Sequence, residues 1–287
     1  MTRALRIDAH HHFWDPAQFH YPWMEGAALD PVRRPFTPDD LAPELARNDI
    51  DGTVLVQTVS DLSETRGFLD LARDTPFVYG VVGWADLTSA QLGETLSELA
   101  GEYGRTLVGI RHQVHDEGDP RWLERDDVVA GIRTLADHQL AYDLLVRTRE
   151  LPSAVSVVAA LPDQRFVLDH IAKPPIAEGW SDSWATELAL LAALPNVSVK
   201  LSGMVTEAKW DSWTPETLSA YVVWVVELFG TDRIMFGSDW PVCLLAARNY
   251  SEVVDALADV LVGLSAAETA AVFGGNAATW YDLVPVE

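Results

Sequence analysis

Cysteine is nearly absent from this 287-residue chain: its single thiol, Cys243, can form no internal disulfide. Basic residues are scarce as well. Twenty Lys and Arg face 43 Asp and Glu, giving a formal net charge of −23, and no basic run of five or more residues interrupts that excess. A surface of this sign argues against nucleic acid and anionic membrane faces as partners. Long apolar runs are also missing. The run AYVVWVVELF at 220–229 stops well short of the roughly 20 residues that a bilayer crossing requires. The N-terminal MTRALRIDAH lacks the apolar core of a signal peptide, so a soluble, cytoplasmic protein is expected.

What the chain does have is a repeated alternation. Short β-rich apolar runs occur at 5–10, 52–57, 77–83, 107–112, 140–146, 165–170, 197–202 and 233–239. Helical stretches such as LGETLSELAGEYG, WATELALLAALP and ETLSAYVVWVVELFG lie between them. Strands alternating with helices imply a parallel sheet covered by helices. Eight such units in a chain of this length fit a single-domain (β/α)8 TIM barrel over residues 1–287 better than an open sheet plus a second domain. The longest connection, 11–51, carries a helix expected over 38–48, with Thr37 or Asp39 near its N-cap, preceded by an aromatic, proline-rich loop. A loop that follows a barrel strand sits on the catalytic face.

The first strand candidate ends in three consecutive histidines. Regular alternation places His10 and His12 on one face with Asp8, and His11 on the other with Ile7 and Ala9. If the Ile7/Ala9 face packs against helices, His-x-His offers two imidazoles to one metal ion; a strand fraying into a polar loop is the plain alternative. Other polar residues fall late in the strand candidates: Gln57, Arg111, His112, His170, Lys200 and Asp239. Gln57 and His112 are better explained by strands giving way to solvated loops. His170 and Asp239 follow apolar runs and precede further apolar or aromatic residues, so they belong at a half-buried mouth where an unpaired charge is costly. Asp239 ranks first, because a carboxylate beside a metal can both ligate it and take a proton from water. His11, His20, His115 and His138 read as structural or surface histidines, and Lys173 as a side chain that reaches solvent.

Several ordered motifs then resemble one family. IDAHHHFW at 7–14, YPW at 21–23, GVVGWADL at 80–87, LVGIRH at 107–112, LDHIAKP at 168–174, VKLSGM at 199–204, FGSDWPV at 236–242 and GGNAATWY at 274–281 are similar to the amidohydrolase superfamily. Within it they resemble the lactonase branch related to L-fuconolactone and L-rhamnonolactone hydrolases. The resemblance implies a metal set of His10, His12, His170 and Asp239. Binuclear members add a carboxylated lysine, often from the fourth strand, but LVGIRH has none and the fifth run, LAYDLLV, has no histidine. One Zn2+-like ion is therefore expected rather than two. Lactonases of the branch are not uniformly metal dependent, so the ion can be dispensable.

The activity implied is opening of a lactone by water, with Asp239 as base and with the metal or the histidines and Arg111 on the oxyanion. Related barrels decarboxylate aromatic or unsaturated acids, which makes a metal-dependent lyase the alternative; a binding protein without chemistry would not need every site position filled. Trp14, Trp84, His112, Lys200 and Trp240 are the candidate substrate contacts among 11 tryptophans, several of which follow strands. Flat rings suit the apolar face of a sugar-acid lactone. A dicarboxylate lactone would need more cations than Arg111 and Lys200. The expected partner is a small-molecule substrate, and association into a homo-oligomer is left open.

Overall fold

The computed structural model describes residues 3–283, so the ends of the expected 1–287 span lie outside the described residues. In chain order the main elements are β1 Ile7–His11, α1 Pro38–Arg47, β2 Gly52–Val56, α2 Leu62–Arg73, β3 Val78–Gly83, α3 Leu92–Tyr103 and β4 Leu107–His112. There follow α4 Asp126–Asp137, β5 Ala141–Leu144, α5 Leu151–Ala160, β6 Phe166–Leu168, α6 Asp182–Ala192, β7 Val197–Leu201, α7 Met204–Glu207 and α8 Pro215–Phe229. The chain then runs through β8 Ile234–Phe236, α9 Tyr250–Val260, α10 Ala266–Ala270 and α11 Asn276–Trp280. No helix among the described residues is long and apolar enough to cross a membrane.

All eight strands are parallel and paired in sequence order, the arrangement of a TIM barrel. No full β8–β1 ladder closes the sheet. The seam is made instead where the end of β1 meets the segment just past β8, with the Asp239 amide donating to the His10 carbonyl at 2.8 Å and the His12 amide to the Trp240 carbonyl at 2.7 Å. Apolar residues of alternating phase fill two compartments. Ile7, Ala9, Val54, Val56, Val82, Val108, Ala141, Val167 and Met235 form the lumen, joined from below by Ala277, Tyr281 and Leu283. Residues such as Leu55, Ile110, Leu144, Phe166, Val199 and Phe236 face the helices. Helix starts follow their capping chemistry: Thr37 and Asp40 make a capping box on α1, and Asp61 accepts the Ser63 amide at the head of α2.

The phase of β1 differs from the regular alternation expected of it. Ile7 and Ala9 face the lumen rather than the helices, while Asp8 points outward to Tyr250 on α9. A register shift lies between Asp8 and His11, where Asp8 pairs with Thr53 and His11 with Leu55. The strand thus carries one extra residue, a bulge that reverses the phase. Beyond it His10 and His12 turn inward and His11 outward. His11 is no surface residue: it is fully buried, 2.9 Å from Thr53 Oγ1 and edge-on to Phe13. β6 and β8 are also shorter than their apolar runs, because His170 (φ 53°) and Asp239 (φ 56°) adopt left-handed backbone that ends the ladder.

Candidate active site

Asp8 sets the frame of the site from outside the barrel. Its carboxylate accepts the Ser238 amide (2.9 Å), the Ser238 hydroxyl (2.5 Å), the Tyr250 hydroxyl (2.9 Å) and the His10 amide (3.1 Å). Burial raises it to about 6 against the pull of those hydrogen bonds. One side chain thereby fixes the backbone on both sides of the seam, next to His10 and next to Asp239.

Within the barrel mouth the histidine tautomers follow from their partners. His12 Nδ1 donates to the Val56 carbonyl at 2.7 Å, which leaves a lone pair on Nε2. His10 Nδ1 lies 3.2 Å from Asp169 Oδ1, and Arg111 Nη1 lies 3.2 Å from His10 Nε2. A guanidinium only donates, so a lone pair of His10 Nε2 faces Arg111, while Nδ1 lies between the Asp169 carboxylate and the Lys200 ammonium, the latter 3.3 Å away. These two Nε2 atoms are 3.2 Å apart. Asp239 Oδ1 is 3.3 Å from His12 Nε2, 3.8 Å from His10 Nε2 and 4.0 Å from His170 Nε2. Burial holds His10 and His170 well below the usual imidazole value and lowers His12. Burial works against ionisation of Asp239, but the facing His170 and His12 outweigh it and hold the carboxyl below its ordinary value.

The result is a buried convergence of electron pairs, which is repulsive unless a positive charge sits among them. Arg111 supplies one from the side. The ligand atoms of His10, His170 and Asp239 lie within 4.8 Å of one another, a donor set that fits one metal ion. Among the described residues no second set of this kind occurs.

His170 opens a run of four left-handed residues, with φ of 53°, 49°, 62° and 47° from His170 to Lys173. For L-residues this conformation costs roughly 1–2 kcal/mol each. It is held by full burial of Ile171 and Ala172 and by the Trp184 indole N–H, which donates to the Ile171 carbonyl at 2.7 Å. The turn presents both His170 and Lys173 to the same cavity. Gly203 packs against it with φ of 61°, and a methyl group there would lie 2.5 Å from His170 Nδ1. Gly203→Ala is therefore expected to displace the His170 ring and lower kcat/KM about tenfold to a hundredfold, as small misplacements of reacting groups do. Steady-state kinetics beside a thermal melt would check it, since the loss of activity should exceed what the loss of folded protein explains.

Above the cluster is a cavity of about 500 Å³ whose wall includes His12, Arg111, His170 and Asp239. The expected substrate contacts are not on that wall. Trp14 is buried inside the long loop, its indole N–H donating to the Val32 and Arg34 carbonyls, and Trp240 is buried against Phe13 and Phe36. Trp84 donates to His112 Nδ1 at 3.1 Å, and His112, stacked on Trp122, turns its Nε2 to Glu117 at 2.8 Å. Both therefore brace the loop after β4. Lys200 is fully buried beneath the cluster, 2.6 Å from Asp143 and 3.0 Å from Asp169.

The wall is built instead by Trp23, Thr58, Gln113, His115, Arg147, Lys173, Glu207 and Trp210, together with aliphatic side chains. Each follows a strand end on the catalytic face, the one signal that could have singled them out. His115 is a half-buried cavity residue that burial lowers to about 3, helped by Lys173, Arg147 and Arg111, and not a surface histidine.

With this geometry the chain can be set against known proteins. The family described as amidohydrolase matches residues 7–283. The chain belongs to the amidohydrolase family. It is similar to an L-fucono-1,5-lactonase of Burkholderia multivorans, 40% identical over 98% of this chain and 97% of the relative. An L-fucono-1,5-lactonase of Burkholderia ambifaria is also 40% identical, over 97% of this chain and 96% of that one. A crystal structure of an amidohydrolase from Burkholderia multivorans with bound zinc is 39% identical, with a TM-score of 0.93, covering 98% of this chain and 100% of the other. Membership places the His10, His170 and Asp239 donor set in a family one of whose structures holds zinc, and it accounts for the TIM barrel.

Proposed function

We propose that this amidohydrolase is a lactonase that opens the ring of a sugar-acid lactone. The observation that carries the reading is the Asp239 carboxylate, held ionised inside the cavity within 3.3 to 4.0 Å of three imidazoles. The full-length similarity to L-fucono-1,5-lactonases supplies the substrate class. Asp239 takes a proton from water as its oxygen attacks the lactone carbonyl carbon. Arg111, tied to Asp169 at 2.9 Å and to the Gln57 carbonyl, aims its charge at the same cluster and meets the negative oxygen that forms. When the ring C–O bond breaks, the proton on Asp239 passes to the departing alkoxide, and the new carboxylic acid releases its own proton to solvent. His10, His170 and Asp239 would hold one divalent ion, Zn2+ by type, which when bound would add Lewis acidity at the carbonyl. His12 keeps its lone pair on the cluster. Trp23, Trp210, Thr58 and Gln113 line the cavity, which sets indole rings and polar groups around the space for the sugar ring.

The test is a panel of sugar lactones followed with a pH indicator, run on chelator-treated protein and on protein reconstituted with Zn2+, beside a carbon dioxide release assay on aromatic acids. Acid release from aldonolactones is expected, with one equivalent of ion bound after reconstitution. Two tightly bound equivalents would contradict the donor count. Carbon dioxide release without lactone opening would replace the lactonase with a decarboxylase.

A further inference from the structure

The cavity carries two cations that the strand ends alone do not reveal. Arg147 follows β5, Lys173 closes the left-handed turn after β6, and Glu207 ends α7 after β7; all three line the cavity. The Glu207 carboxylate lies between the two bases, with Oε2 3.5 Å from Arg147 Nη1 and Oε1 3.6 Å from Lys173 Nζ. Each oxygen faces one cation. Glu207 and Lys173 side chains are 16% and 20% exposed, so their charges are only partly screened by water, while Arg147, at 49%, stands at the rim. The other charges on the wall are already committed. Arg111 is bound to Asp169 and the Gln57 carbonyl, and Asp116, 60% exposed, keeps its negative charge in solvent beside His115.

The geometry points to Glu207 as the residue that restricts this site to uncharged lactones, an inference that rests on the lactonase reading above. Lactones bearing ring or chain carboxylates need fixed cations, and Arg147 and Lys173 are the two this cavity could offer them. Glu207 occupies both. A carboxylated lactone would have to bring its own negative charge beside that of Glu207 to reach either base, and like charges in a partly desolvated wall repel strongly. A polyol lactone meets no such opposition. Its hydroxyls can accept from Lys173 and Arg147 and donate to Glu207 without parting them. The three groups come from the ends of three consecutive strands, so the selection is made by the loops while the cluster below stays the same.

The experiment compares an aldonolactone with the matching aldarolactone, in which a terminal CH2OH is replaced by a carboxylate. The variants are Glu207→Gln, Glu207→Asp, and Glu207→Gln combined with Arg147→Gln. For Glu207→Gln the ratio of kcat/KM for the neutral over the charged lactone should fall at least about tenfold, which is the effect of about 1.4 kcal/mol. The charged lactone should also be opened faster in absolute terms. Glu207→Asp, which keeps the charge, should retain the wild-type ratio, and removing Arg147 as well should reverse part of the gain.

A merely structural Glu207 would lower both activities together and leave the ratio unmoved, and that result overturns the inference. So would a wild-type enzyme that opens both lactones equally, or a Glu207→Gln variant with no detectable activity on the charged one. The two readings fail separately. Wild-type protein that opens no neutral lactone sinks the lactonase itself, whereas good wild-type activity with an unmoved ratio sinks only the role of Glu207.

Discussion

Asp239→Asn is expected to lower kcat on the best lactone at least about a hundredfold, because general-base help is typically worth 10²- to 10⁴-fold. The carboxamide has nearly the same size, and the two backbone bonds at this position, Asp239 N to the His10 carbonyl and Cys243 N to the Asp239 carbonyl, do not involve the side chain. Folding should survive while proton acceptance does not. The pH profile provides a second check. Asp239 is held below its ordinary value, so its basic form persists above that lowered pKa and is lost only as pH falls through it. Burial lowers His10, His12 and His170 from the usual imidazole value. For wild type, kcat/KM should therefore stay level across pH 6.5 and fall only at pH values lower than an ordinary carboxylate would give. A variant that kept most of its kcat would make Asp239 structural and move the base elsewhere.

The largest effect on stability is expected from Lys200→Met. Lys200 is fully buried between Asp143 and Asp169, and the Tyr281 hydroxyl donates to the same Asp143 oxygen at 2.6 Å. Removing the cation leaves buried carboxylates uncompensated, a loss that typically amounts to about 3–5 kcal/mol. The sign of its pH dependence follows from Asp143, which burial raises to about 6 even with Lys200 beside it. A carboxyl whose folded pKa lies above the unfolded one favours the folded state at low pH, and that contribution is lost as pH rises through the folded value. Without Lys200 the folded value climbs further. Denaturant unfolding should thus show the variant destabilised more at pH 8 than at pH 5, where Asp143 can take up a proton. An equal deficit at both pH values would mean that Lys200 acts through packing and not through charge.

Much of this molecule could be read from its sequence because a barrel repeats one local pattern. Each strand run is apolar and bounded, and the eight strands follow it closely. His10, His12, His170 and Asp239 were recoverable because they lie on strand ends, whose positions the pattern fixes. His10 and His12 turn inward and His11 outward as expected, but not through regular alternation. Regular alternation put Ile7 and Ala9 against the helices, and only the bulge, which depends on pairing with β2, reconciles their place in the lumen with His10 beside them. The expected substrate contacts lie off the cavity wall for a related reason. Trp14 and Trp240 belong to loops that close on themselves, and an indole N–H satisfied by a carbonyl inside the loop looks the same in sequence as one aimed at a ligand. Lys200 points into the lumen from β7, where its partners come from β5 and from the segment after β6. Glu207 and His115 sit beyond the strands in short helical turns, and no periodicity predicts which way such turns face.

The seam between β8 and β1 bears on how the enzyme can move. The amides of His12 and Asp239 donate the bonds that join the two ends of the sheet, so their hydrogens can exchange with solvent only when the wall itself parts. These positions should rank with the most slowly exchanging in the protein, and the carboxylate that takes the proton cannot loosen by a local excursion of its own loop. Admission of substrate then falls to segments with no share in the sheet: the loop that carries Trp23, and the stretch around Glu207 and Trp210.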